Sequence, residues 1–289
     1  MKRAAWAVLG TILPLGLFLA AQPALMAQPA INAGGVVNAA SGMAPALAGG
    51  GIARGSFFTI YGHGLGPQTA AQATAYPFQT TLAGVSVTVS NANGSVNAYP
   101  FFARNDQINA ILPSNAPLGS VSVVVTYNSQ SSGPQRITVV DASVGIFTVN
   151  SAGSGPAIFQ NVNTSGDRPL NSTTATAKPG QIGVLWTTGL GAIGAADNMA
   201  PPIGTLGTQL EIFVGGVPVT DIQYAGRAPG DAGVDYLQFV LPSAAPQGCY
   251  VPIQVRVKGA VASNVATIAI DPAGQPCSDP DNFLTHPYT

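Results

Sequence analysis

Charge is what this sequence has least of. Asp, Glu, Lys and Arg together make up 7% of its 289 residues, against roughly 25% in an ordinary globular chain. Glu occurs once, as Glu211. With 10 basic and 11 acidic side chains there is no basic face for a phosphate backbone, which argues against nucleic acid as a partner. Histidine is almost missing too, and His63 is the one that lies outside the C-terminal tail. A Ser-His-Asp triad needs that His beside a Ser on a strained elbow and a carboxylate, and no G-x-S-x-G motif is present. One Glu and a few loop-borne Asp residues give poor material for paired-carboxylate glycoside hydrolysis. Past residue 21, no stretch is long and apolar enough to span a membrane.

Abundance runs the other way. Thirty-five Gly and 24 Pro, with many Val, Thr and Ile, favour short strands and turns over helices. Polar surface has to come from Ser, Thr, Asn and Gln. The length suffices for two ordinary domains, each with a sizeable core.

Lys2 and Arg3 precede an apolar run over residues 7–21, and small residues including Ala24 and Ala27 follow. This is the layout of a secretory signal peptide. Cleavage is expected after Ala27, with Ala21 and Ala24 as further sites. A retained anchor is the alternative, but the run is short for a span of about 20 residues and is interrupted by Pro14. Export makes the cysteines readable. Cys249 and Cys277 are the only two, and an oxidising compartment favours pairing them over leaving two free thiols.

One stretch organises the rest. Gly55-Ser-Phe-Phe-Thr-Ile-Tyr-Gly-His-Gly-Leu-Gly66 returns, degraded, as Gly180-Gln-Ile-Gly-Val-Leu-Trp-Thr-Thr-Gly-Leu-Gly191, 125 residues later. Val85, Val87 and Val89 alternate with polar residues, and Leu210, Ile212 and Val214 answer them at the same offset. That period of two marks half-buried strands. Asn93-Gly94 reads as a hairpin turn, replaced by Gly215-Gly216 in the second copy. Leu237-Gln-Phe-Val-Leu-Pro242 answers Ile108-Asn-Ala-Ile-Leu-Pro113 at an offset of 129. The extra four residues fall around residues 226–233, where a surface loop grows cheaply. Residues 68–75 have the composition for one or two helical turns, without a good cap. Short strands at near-regular spacing mean sandwiches or barrels. The expectation is all-β: a signal peptide over residues 1–27, two tandem immunoglobulin-like β-sandwiches over 28–143 and 144–272, and a tail over 273–289 tied by a disulfide.

The glycine-rich end of residues 55–66, followed by strands, resembles the IPT/TIG type of immunoglobulin-like domain. The ordered pieces Val37-Asn-Ala-Ala-Ser41, Gln107-Ile-Asn-Ala110, Gly145-Ile-Phe-Thr148, Lys178-Pro-Gly180, Thr188-Gly-Leu-Gly191 and Ala262-Ser-Asn264 resemble an uncharacterised acidobacterial family of secreted C-terminal domains. The resemblance runs from about residue 35 to 272. It implies an exported, immunoglobulin-like, often modular cell-surface protein, and it brings no catalytic residues.

The remaining candidates are structural or weak. Gly62, Gly64 and Gly66 miss the G-x-G-x-x-G nucleotide spacing by one residue and are followed by Pro67. They and Gly189 and Gly191 read as tight turns with φ > 0. His63 reads as an exposed turn residue. Asp221, Asp231 and Asp235, and Asp279 and Asp281 in the tail, lack the order of a calcium loop and read as solvated carboxylates. Trp186 reads as core. Tyr61, Tyr99, Phe101, Tyr224 and Tyr236 are the aromatics that a flat sugar platform would use. No catalytic residue, cofactor or metal is expected. The expected function is a non-catalytic extracellular or cell-surface module for adhesion, protein interaction or surface assembly. A polysaccharide-binding accessory module is the alternative and a secreted hydrolase the remote one. The expected partner is an extracellular protein or a polysaccharide.

Overall fold

A computed structural model of the chain describes residues 28–257 and 262–277. The leader over residues 1–27, its cleavage site at Ala27, and the tail carboxylates Asp279 and Asp281 lie outside the described residues. Among the described residues every regular element is a β-strand. No helix in them is long and apolar enough to cross a membrane.

Four sheets make two cores. In the first, the strand Phe57–His63 lies between Ala30–Asn38 and Gln107–Ile111, with Ile60 opposite Ile108. The facing sheet centres on Gly119–Tyr127, where Val123 and Val125 stand opposite Val89 and Val87 of the strand Val85–Asn91. The alternation in the sequence therefore does its expected work. Phe58, Ile60, Ile108 and Ala110 from one sheet meet Val85, Val87, Val89, Val121, Val123 and Val125 from the other in one buried cluster. Each of the Val, Ile and Phe side chains gains about 1.5–3 kcal/mol from burial, offset by the entropy of ordering the chain.

The second core repeats the plan. The strand Ile182–Thr188 pairs with Asp235–Val240, Leu185 opposite Leu237, as Phe57–His63 pairs with Gln107–Ile111. Its facing sheet is built on Leu210–Val214 and Gly248–Val257. Phe159, Leu185, Leu237 and Phe239 pack there against Ile212, Val214, Ile253, Val255 and Ile268. The short strands Gly145–Ile146 and Phe159–Asn161 both join the sheet of Ile182–Thr188.

Two local expectations are corrected. Residues 68–75 form no helical turn; Ala71–Gln72 instead makes an edge pairing with Tyr99–Ala103, which gives those backbone groups partners that an uncapped helix would lack. The first hairpin turns on Ala92 and Asn93, with Asn91 opposite Gly94, because the Asn91 side chain accepts from the Asn93 amide at 2.8 Å and closes the turn one residue early. The second hairpin does turn on Gly215 and Gly216, at φ +58° and +81°, the left-handed pair that a two-residue hairpin needs.

Cys249 and Cys277 form a disulfide with Cα atoms 5.3 Å apart. Hydrogen bonds hold the tail segment as well: the Cys277 amide donates to the Thr173 carbonyl at 2.9 Å, and Thr176 Oγ1 donates to the Gln275 carbonyl at 2.8 Å. The loop spans 28 residues, so Cys277→Ser should lower stability by about 3 kcal/mol in the chain-entropy view. A urea titration of the variant against the oxidised parent measures this, and an unchanged midpoint would show the bridge to be dispensable.

Candidate functional site

Side-chain hydrogen bonds and a buried ion pair collect at the seam between the two sandwiches. The four extra residues of the second copy reach it. Arg227 ends the strand Ile222–Arg227 and Asp235 begins Asp235–Val240. They are ion-paired, with side chains 2% and 0% exposed. The Arg227 Nη2 donates to the carbonyl of Gly55 in the first sandwich and to that of Gly191 at 2.8 Å. Asp235 also accepts from the Leu190 amide at 2.8 Å. Burial pushes the Asp235 carboxyl above its ordinary range, and the guanidinium and backbone amides pull it back.

Further polar contacts cross the same seam. Asp197 accepts from the Ser114 amide at 2.6 Å and its hydroxyl at 2.7 Å. Thr188 Oγ1 accepts from the Phe57 amide at 2.9 Å and donates to the Gly233 carbonyl at 2.7 Å. The Tyr76 hydroxyl donates to the Gly230 carbonyl at 2.8 Å and accepts from the Ala232 amide at 3.0 Å. Phe101 stacks on Phe57 at 4.4 Å between centroids, with Phe78 6.4 Å beyond. A buried ion pair adds little net stability relative to apolar residues, but breaking one side of it is costly. Its link to the first sandwich is the bond from Arg227 Nη2 to the Gly55 carbonyl.

Pieces of the sequence resemblance gather at the connection between the units. Asn38 Nδ2 donates to the Ser143 carbonyl at 3.1 Å, and its Oδ1 accepts from Ala40 and Ser41. Asn264 Oδ1 accepts from the Ile146 amide at 2.7 Å, and its Nδ2 donates to the Ile146 and Gly153 carbonyls. Gly145 has no room for a side chain, since a Cβ would sit 2.3 Å from Asn38 Oδ1.

A second candidate is the outer face of the sheet around Ile182–Thr188. Trp186 pairs across to Tyr236, ring centroids 6.0 Å apart, and Tyr224 lies 4.7 Å from Tyr236. Trp186 Nε1 donates to Gln160 Oε1 at 2.9 Å, and Gln238 Nε2 to Gln223 Oε1 at 3.1 Å. The rings are tilted by 57° and 39°, so they form a faceted strip and not a flat plate. The Tyr224 hydroxyl sits 2.6 Å from the Arg227 carbonyl, and burial raises its pKa. That bond couples the strip to the seam.

The five aromatics proposed from the sequence are thus spread over three places. Tyr224 and Tyr236 lie together on this strip. Phe101 is in the seam, turned against Phe57. Tyr61 is 44% exposed on the outer face of the first sheet, opposite Gln107, and Tyr99 is half-buried two strands from Phe57. Trp186, read as core, is on the strip and half-buried. Asp235, read as a solvated loop carboxylate, is fully buried because Arg227 balances its charge. His63 is exposed at the end of its strand. Gly64, Gly189 and Gly191 have φ of +65°, +102° and +120°. Gly62 and Gly66 do not adopt positive φ; a Cβ on Gly62 would meet the Ala30 carbonyl at 2.2 Å, so close backbone approach explains that glycine. Among the described residues no group of three or more His, Cys, Asp or Glu is placed to hold a metal ion.

No family model matches the chain, and no curated protein does. Among solved structures it is similar to a surface glycan-binding protein from a xyloglucan utilization locus of Bacteroides uniformis, at 14% identity and a TM-score of 0.24, covering 86% of this chain and 49% of that one. It is similar to a surface glycan-binding protein of Prevotella bryantii, at 14% identity and a TM-score of 0.23, covering 82% and 41%. It is similar also to domains 5–6 of the S-layer protein SbsC, at 12% identity and a TM-score of 0.22, covering 84% and 98%. The chain spans less than half the length of the two glycan-binding proteins. Likeness at this level assigns no function.

Proposed function

We propose that the chain is a non-catalytic extracellular or cell-surface module acting in adhesion or surface assembly. The observation that carries this reading is the seam. Arg227, Asp235, Asp197 and Ser114 are bonded across or around it, so two sandwiches are held in one fixed arrangement. A rigid pair with few charges positions strand edges and loops for a partner. The basic leader, the disulfide and the resemblance of the ordered motifs to a secreted acidobacterial family support export. The test is a depletion assay: residues 28–289, oxidised, are mixed with bacterial envelope fractions and with insoluble polysaccharides, and unbound protein is measured. Depletion by envelope protein supports the assembly reading; no depletion by either class of material counts against it.

The aromatic strip favours a second reading, polysaccharide binding. Tilted Trp and Tyr rings beside Gln amides suit the C–H faces and hydroxyls of a neutral sugar chain. On that reading Trp186→Ala with Tyr236→Ala should weaken glycan depletion at least tenfold while leaving the fold intact. Unchanged glycan depletion would remove the strip from consideration.

A further inference from the structure

The rings of the aromatic strip stand in a row that runs across the strands. Tyr236 pairs with Trp186 on one side and with Gly226 on the other. Tyr224 completes the row because Gly226 has no side chain; a Cβ there would lie 3.1 Å from the Tyr224 hydroxyl. The centroid steps are 6.0 and 4.7 Å, each comparable to the length of one pyranose along a chain. Both outer rings are tied down. Trp186 Nε1 donates to Gln160 at 2.9 Å, and the Tyr224 hydroxyl sits 2.6 Å from the Arg227 carbonyl and 3.0 Å from that of Gly204. Rings that are already ordered lose little freedom when a ligand stacks on them.

Three features of this face select its occupant. The first is charge. Among the described residues, no outward position of the strands Phe159–Asn161, Ile182–Thr188, Ile222–Arg227 and Asp235–Val240 is charged; Arg227 and Asp235 are buried and pair with each other. A charged ligand would find no counter-charge here, and covering its charges unpaired would be costly. The second is hydrogen bonding. Gln238 Nε2 donates to Gln223 Oε1 at 3.1 Å, which leaves Gln238 an amide acceptor and Gln223 an amide donor for the hydroxyls of a ligand. The third is tilt. Interplanar angles of 57° and 39° turn successive rings in different directions. Sugars lying in one plane, as on a crystalline polysaccharide surface, would meet one ring at a time. A chain that twists along its length can meet all three.

We propose that the strip takes a single soluble chain of a neutral polysaccharide that twists along its length, with consecutive sugars stacking on Trp186, Tyr236 and Tyr224 in turn. The inference rests on the polysaccharide reading above and gives it a substrate class and a set of subsites, one for each ring. The ring faces supply the apolar contact, and the Gln223 and Gln238 amides fix orientation through the sugar hydroxyls.

The test is native electrophoresis of residues 28–289, oxidised, in gels carrying hydroxyethylcellulose, laminarin or galactomannan as soluble neutral chains and alginate as a charged one. Depletion by microcrystalline cellulose supplies the flat surface. At least one neutral chain should retard the protein, and neither alginate nor the crystalline surface should bind it. Trp186→Ala and Tyr236→Ala should each weaken retardation about tenfold, the upper range for one ring contact. Trp186→Phe and Tyr236→Phe keep a ring and should restore most of it, which separates stacking from misfolding. For oligosaccharides of the glycan that binds, affinity should climb from disaccharide to trisaccharide and change by less than about threefold from tetrasaccharide to hexasaccharide. No retardation by any of the neutral chains overturns the proposal. So does retardation that survives in alanine variants with the parent's thermal midpoint, retardation by alginate as strong as by the neutral chains, or affinity that keeps climbing past the tetrasaccharide. Depletion by microcrystalline cellulose that requires Trp186 would overturn the twisted chain and leave the polysaccharide reading standing, so the two fail separately.

Discussion

Arg227→Met should destabilise the chain by about 4 kcal/mol, the usual cost of leaving one member of a buried ion pair behind. Asp235 would keep its Leu190 amide and lose its counter-charge. The Gly55 and Gly191 carbonyls would lose the donor they share, and each buried acceptor without a partner costs about 1–3 kcal/mol. These losses overlap and do not sum. The informative comparison adds Asp235→Leu. A pair replaced by apolar residues of similar volume is often tolerated, so the double variant should be more stable than Arg227→Met alone. Urea unfolding of the two variants reads this directly. A double variant worse than both singles would mean that the carboxylate matters for reasons other than the guanidinium.

Gly55→Val should cost about 4 kcal/mol as well, through sterics and not charge. Gly55 sits at φ +71°, where a β-branched residue is strained. Even a Cβ would come 2.3 Å from Arg227 Nη2, 2.9 Å from Ser114 Oγ and 3.0 Å from the Gly191 carbonyl. Overpacking of this kind costs about 1–3 kcal/mol beyond the backbone strain. The same substitution at Gly180 supplies the control. Its φ is +78°, but no atom outside its chain neighbours lies within 4 Å of the added Cβ. Gly180→Val should therefore show the strain alone and cost less. Equal losses at the two positions would show that the seam adds nothing to the cost at Gly55.

The difference between those two glycines also shows what was legible in the sequence. The alternation of Val85, Val87 and Val89 specified a strand face, and the repeated glycine-ended strand specified two copies of one plan. Both follow from local periodicity. The seam does not. Residues 226–233 read as a loop lengthened at no consequence, because length alone does not tell a solvated loop from one that crosses to another unit. A signal was present: Asp235 stands in register with Leu237 and Phe239, so it occupies an inward position of its strand. An inward carboxylate demands a buried cation, and Arg227 is the nearest in sequence. The aromatic strip was hidden for a different reason. Trp186, Tyr236 and Tyr224 come from three strands, and only the cross-strand register brings them together. The one or two helical turns expected over residues 68–75 do not form, because Ala-rich composition supplies no partners for the end groups of an uncapped helix, whereas the edge pairing of Ala71–Gln72 does.

Rigid coupling of the two sandwiches through Arg227 and Asp235 is the claim on which the rest stands. Scanning calorimetry of residues 28–289, oxidised, with and without Arg227→Met, tests it most directly. The parent should unfold in one transition whose calorimetric and van't Hoff enthalpies agree, and the variant in two separated transitions as the sandwiches melt apart. Two transitions in the parent, or one undisturbed transition in the variant, would contradict the account.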